Sequence, residues 1–227
     1  MSQSIFLQYP QRETCIAQLS ADLGAQLQQA LAEQPRASLL LPGGSSPQAL
    51  LPVLAAQPVE WSRIDLSPTD ERWVPADAAQ SNWRLLRAGL PGAACRDPRQ
   101  AAGPQQSASA WAAQLSEWLP FDAVLLGMGE DAHIASLFPA MPGLTAALDP
   151  AAAPAGLVGI APSEPSTRLS LNLSMLLQSH WIGLLAFGPV KRRLIEAVLA
   201  DEPASRTLPL YALLWHSPLQ VRIYWAP

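Results

Sequence analysis

Charge is scarce in this chain. Only 14% of its 227 residues are Asp, Glu, Lys or Arg, and the formal net charge is −4. That balance provides no basic face for nucleic acid, which excludes the electrostatic footprint such proteins carry. An anionic ligand would have to be held by a local basic cluster and not by the global field. Cysteine is equally sparse: Cys15 and Cys95 are the two present, and they show no metal-ligand or disulfide-framework spacing. The three histidines, His133, His180 and His216, form no HxxxH pair, so a zinc site is not expected. Apolar runs such as FDAVLLGMG and WIGLLAFG are far shorter than the roughly 20 residues needed to span a bilayer. The opening MSQSIFLQYP lacks a positive n-region followed by a long apolar segment, so a cytoplasmic protein is expected.

What the chain does have is apolar material, 49% of the residues, enough for a continuous core. Ile16, Leu19, Leu23, Leu27 and Leu31 recur at helical spacing and predict an amphipathic helix over 11–33, ended by Pro35. A short apolar run at 38–41 then predicts a strand, and Ser46-Pro47 a helix start, with the Ser46 hydroxyl as cap and Pro47 in the first turn. The alternation continues. Strands are predicted at 63–66, 121–129, 157–161, 181–187 and 221–225. Helices are predicted from Ser81, around Trp111, Leu115 and Trp118, briefly near Ala135–Phe138, and from Pro189. Segments 91–106 and 139–156 are expected to be loops. Short apolar runs alternating with amphipathic helices indicate an α/β domain with a mainly parallel sheet, and no composition shift divides it, so 1–227 is expected to be one domain.

In open parallel sheets, ligands bind beyond the carboxyl ends of the strands. Four expected strand-end loops carry unusual residues. Gly43-Gly44-Ser45-Ser46 offers open backbone and a helix N-terminus, which suits a phosphate, though an ordinary capped turn reads the same. Asp70-Glu71-Arg72, with Asn82 at the next helix start, is either a surface ion pair or part of a site. Gly127 and Gly129 open a loop in which His133 follows Asp131 by two residues, and histidine is the side chain best matched to proton transfer near neutral pH. Arg168 and Lys191 complete the set; their plainer readings are a solvated arginine and a snorkelling lysine. No serine sits in a G-x-S-x-G elbow.

Taken in order, LLLPGGSSP, TDERWVP with Ser81-Asn82, FDAVLLGMGEDAHIASLFP, the Arg168 segment and Gly188-Pro189-Val190-Lys191 resemble the 6-phosphogluconolactonase family over nearly the whole chain. The resemblance implies a Rossmann-like three-layer α/β/α sandwich, shared with glucosamine-6-phosphate deaminases and ribose-5-phosphate isomerases. It implies hydrolysis of 6-phospho-D-glucono-1,5-lactone to 6-phosphogluconate in the oxidative pentose phosphate pathway, without cofactor or metal, and a small sugar-phosphate lactone as the one partner. Neither nucleic acid nor membrane is expected, and either a monomer or a weak dimer fits. His133 corresponds to the general base. Asp131 or Glu71 would orient it, glycine-turn N–H groups or Arg72 would meet the oxyanion, and the glycine loop, Arg72, Arg168 and Lys191 would hold phosphate or lactone oxygens. Asp70, Asn82 and Gly129 are expected to touch substrate. The chain departs from the family pattern at Pro42, Ala132 and Ile134; an alanine at 132 would cost about 1 kcal/mol if that position needs φ > 0. A deaminase or isomerase using Asp70 to move protons, and a non-catalytic sugar-phosphate sensor, are the rival readings.

Overall fold

Leu19, Leu23 and Leu27 lie on one helical stripe and are fully buried, which is why Arg12–Glu33 holds as a 22-residue helix, α1. The computed structural model describes residues 4–227. Around α1 the chain runs β1 (Ile5–Gln8), β2 (Ala37–Leu41), α2 (Ser45–Ala55), β3 (Ile64–Pro68), β4 (Asp70–Arg72), α3 (Asn82–Gly89), β5 (Ala94–Cys95) and α4 (Pro104–Leu115). It continues through β6 (Ala123–Gly127), α5 (Leu144–Ala147), β7 (Gly156–Ile160), β8 (Thr167–Leu171) and α6 (Leu173–Leu177). The last elements are β9 (Ile182–Phe187), α7 (Pro189–Leu199), α8 (Pro209–His216) and β10 (Val221–Ala226).

Seven strands form one sheet in the order β1-β10-β9-β6-β2-β3-β5, and every pairing in it is parallel. Both faces are buried, as continuous runs such as Ser38–Leu41 require. Side chains alternate between the two faces: Leu39, Leu41, Leu125 and Leu185 join the core under α1, α2 and α3. Leu40, Val124, Leu126 and Leu184 join the core under α4, α6, α7 and α8. The result is a three-layer α/β/α sandwich with a mostly parallel central sheet, as expected from the alternation of elements. Among the described residues no helix is long and apolar enough to cross a membrane.

The local differences from expectation have physical causes. The strand expected at 157–161 forms as β7 (Gly156–Ile160), but it lies outside the parallel sheet, in a second, antiparallel sheet of order β4-β8-β7. Asp70-Glu71-Arg72, read as a loop, is the edge strand β4 of that sheet. The short helix expected near Ala135–Phe138 does not form, because Ala135 takes φ +46 and Ile134 bridges Met128 and Leu137. Helix α2 starts at Ser45 and not after Ser46; its cap is Gly44, whose φ of +104 an L side chain rarely adopts, and no side chain caps it. At α3 the expected serine cap is present, with Ser81 accepting the N–H of Arg84. Helix α5 sits in a segment expected to be loop, Cys95 lies in the two-residue β5, and β1, β8 and α8 were not foreseen.

Candidate active site

Strand order places the site. After β2 the chain moves outward to β3 and β5, then returns to the other flank of β2 with β6. The loops that follow β2 and β6 therefore leave in opposite directions, and the crevice between them is a topological switch point. A cavity of about 310 Å³ opens there. It is lined by the Gly43–Ser46 turn, the Gly127–His133 loop, Arg72 of β4, Arg168 of β8 and Lys191 of α7.

The β6 loop presents an imidazole. His133 Nδ1 lies 2.6 Å from Asp131 Oδ1, and the His133 N–H donates to the same oxygen at 3.2 Å. Burial raises the Asp131 pKa, but hydrogen bonding and charge interaction with His133 outweigh it, and the carboxyl ends below its ordinary value. An ionised carboxylate only accepts, so Nδ1 carries the hydrogen, and in the neutral ring Nε2 is the nitrogen left with a lone pair. Phe138 packs against the ring, 4.4 Å between centroids. Gly129 is required for this arrangement, since a Cβ there would lie 2.2 Å from Nδ1. Ala132, directly before the histidine, does take φ +64, a conformation costing an L residue about 1–2 kcal/mol. Its side chain is fully buried in the core, and the burial of that methyl, about 0.8 kcal/mol, offsets part of the strain.

The opposite wall is cationic. Arg72 and Arg168 are direct cross-strand partners, so two guanidinium groups share one face of the small sheet, an arrangement unfavourable for like charges. Arg168 is 8% exposed and its Nε has no hydrogen-bond partner. Burial, then the charge of Arg72, depress its pKa. Lys191 is pushed the same way by burial, against the pull of Glu130. Among the described residues no carboxylate lies within ion-pair distance of Arg72, Arg168 or Lys191. The first turn of α2 adds uncapped backbone N–H groups at Ser45 and Ser46. Gly43 lets that turn approach α3: a Cβ on it would sit 1.8 Å from Asn82 Oδ1. Asn82 in turn donates from Nδ2 to the carbonyl of Asp70.

Every residue expected at the site lines this cavity except Glu71. Because β4 is a strand, Asp70 and Arg72 share one face and Glu71 takes the other. Its carboxylate is fully buried and accepts the N–H groups of Arg72, Asn82 and Trp83, with the Ser81 hydroxyl at 3.0 Å. Arg99 Nη1 adds an ion pair with this carboxylate at 3.0 Å. Glu71 thus anchors the start of α3 and does not reach His133; the expectation that it could orient the imidazole is corrected, and Asp131 alone does so. Arg99 was missed because it sits in a Pro/Gly/Gln-rich loop with no periodic signal. Ser136 and Phe138 also line the cavity and were not singled out, although they follow His133 by three and five positions in the same loop.

Residues 10–225 match the family described as glucosamine-6-phosphate isomerases/6-phosphogluconolactonase. The chain belongs to this family. It is 39% identical over 221 residues to a 6-phosphogluconolactonase of Pseudomonas putida, covering 95% of this chain and 90% of that one. It is 41% identical over 217 residues to the one of Pseudomonas aeruginosa, covering 92% and 89%. Among solved structures, a 6-phosphogluconolactonase from Shewanella baltica superposes with a TM-score of 0.89 at 31% identity, covering 99% of this chain and 98% of that one. The family is thus shown over essentially the full cleft-bearing fold.

The role of Glu71 yields a test. Glu71→Ala would leave three backbone donors and the Ser81 hydroxyl without their acceptor and would remove one of the two carboxylates paired with Arg99, and is expected to lower the unfolding free energy by about 3–5 kcal/mol in urea titrations. A loss below about 1 kcal/mol would show that this carboxylate does not hold α3 in place.

Proposed function

We propose that this chain is a cytoplasmic hydrolase that opens 6-phospho-D-glucono-1,5-lactone to 6-phospho-D-gluconate in the oxidative pentose phosphate pathway, with residues 1–227 as one catalytic domain. The observation that carries the reading is the meeting of two unlike walls in one cavity: a carboxylate-oriented imidazole faces cations that have no carboxylate within ion-pair distance among the described residues. Relatives named as 6-phosphogluconolactonases at 39% and 41% identity support it.

In this reading neutral His133 takes a proton through Nε2 from a water molecule, whose oxygen attacks the lactone carbonyl. Asp131 keeps the proton on Nδ1 and stabilises the imidazolium that forms. Backbone N–H groups of the glycine turns, or Arg72, meet the developing oxyanion. Collapse of the tetrahedral intermediate breaks the bond to the ring oxygen, which receives the proton back from His133. Water and lactone become one hydroxy acid, and no covalent enzyme intermediate is needed because a lactone is already an activated ester. Arg168, Lys191 and the first turn of α2 replace the hydration of the phosphate dianion. Gly43, Gly44, Ser45, Ser46 and Asn82 shape that turn, and Gly129 shapes the loop holding the base.

His133→Asn is expected to lower kcat by roughly 100-fold or more while changing KM far less. Near-normal turnover above the spontaneous rate would remove His133 as the base. Arg168→Gln and Lys191→Gln are each expected to lower kcat/KM for the phosphorylated lactone by roughly 10- to 150-fold and to leave the poor value for unphosphorylated gluconolactone almost unchanged. Equal losses on both substrates would take these residues out of the phosphate site.

A further inference from the structure

One carboxylate in the cavity has no part in the hydrolysis described above. Asp70 is 8% exposed, lines the cavity, and has no cation within ion-pair distance among the described residues. Its Oδ2 accepts a 2.6 Å hydrogen bond from the Ser136 hydroxyl, while Oδ1 has only a long 3.4 Å contact from Thr69 Oγ1. An ionised carboxylate has about four lone-pair sites, so acceptor capacity is left over.

Ser136 is placed as deliberately as the catalytic histidine. The loop between β6 and α5 contains three left-handed alanines, 132, 135 and 140, and the first two directly precede polar residues that line the cavity, His133 and Ser136. Non-glycine residues in this conformation persist only where the surroundings enforce them, and they cluster at functional sites. The Ser136 N–H donates to Ser170 Oγ, and Ser170 is the cross-strand partner of Asp70. Behind it, a Cβ at Gly159 would lie 2.4 Å from the Ser136 carbonyl oxygen, so β7 closes on this residue as tightly as glycine allows.

We propose that Asp70, positioned by Ser136, accepts hydrogen bonds from the ring hydroxyls of the substrate and so selects the hydroxyl pattern of the sugar. The inference rests on the lactone-hydrolase reading above. A carboxylate repels the phosphate and the developing oxyanion, which leaves hydroxyl donors as the substrate groups it can meet favourably. On the same face of β4, Asp70 and Arg72 stand roughly 7 Å apart along the strand, about the span of a sugar ring. An acceptor for hydroxyls and a donor for anionic oxygens thus lie side by side. Buried polar groups built to bond a substrate hydroxyl reject analogues that lack it, because the protein group is left unpaired.

The test compares kcat/KM for the lactones made by oxidising the 6-phosphates of glucose, 2-deoxyglucose and galactose. The unaltered protein is expected to favour the glucose-derived lactone. Asp70→Asn keeps an acceptor for Ser136 and is expected to lower that value by roughly 10- to 150-fold. It should lower at least one analogue, the one whose contacted hydroxyl is absent or inverted, less than about 3-fold, so that the preference collapses. Ser136→Ala is expected to give the same substrate pattern at about 3- to 10-fold. Equal losses on all three lactones, or a lowered melting temperature with every kcat/KM unchanged, would overturn the proposal and leave the lactonase reading standing. If the unaltered protein fails to accelerate even the glucose-derived lactone, the lactonase reading fails and this inference with it.

Discussion

A buried guanidinium with no carboxylate in ion-pair contact is a cost that folding alone does not explain. Removing an ion from water penalises the fold by several kcal/mol unless a counter-charge or a full set of acceptors compensates. Among the described residues Arg168 has no carboxylate within ion-pair distance and its Nε has no acceptor; the pull of Asp70, Glu71 and Glu164 does not outweigh its burial, and its cross-strand neighbour is a second arginine. The surrounding architecture is arranged so that this penalty is met by something from outside. The small antiparallel sheet holds both arginines on one face, the switch point between β2 and β6 opens a crevice against that face, and the uncapped start of α2 points more donors into the same space. In the proposed function, the fold contributes rigidity and the substrate phosphate contributes the missing charge.

The loop after β6 shows the same trade at the other wall. Left-handed alanines on either side of it at 132 and 135, a glycine pressed against the imidazole and a phenylalanine packed on the ring leave His133 little freedom. Its Nδ1 is committed to Asp131, so the one nitrogen able to take a proton belongs to a ring that lines the cavity. Strain of this kind is affordable because the loop is tied down at both ends, with Gly129 N–H donating to the His133 carbonyl and Leu210 N–H to that of Ala132.

The sheet, its helices and most of the cleft could be read in the sequence because buried parallel strands appear as continuous apolar runs and functional loops follow them directly. What escaped depends on contacts between distant segments. The second sheet forms from three short strands, one of them a charged tripeptide with no apolar signature. Recognising Asp70–Arg72 as a strand would at once have separated Glu71 from its neighbours, since parity alone sends it to the opposite face. Arg99 was illegible: its role comes from meeting Glu71 across the fold, and nothing in its local sequence points there. Ala132 was the reverse case, where a departure from the family's glycine raised the question of a positive φ and the structure answered it at +64.

The most direct measurement is the lifetime of the lactone itself. Glucose-6-phosphate dehydrogenase can generate 6-phosphogluconolactone in situ, and its disappearance can be followed with and without this protein at equal pH and buffer. The expected result is decay faster than the spontaneous reaction in proportion to the protein added. A decay rate equal to the uncatalysed background, from folded protein at any concentration, would contradict the account.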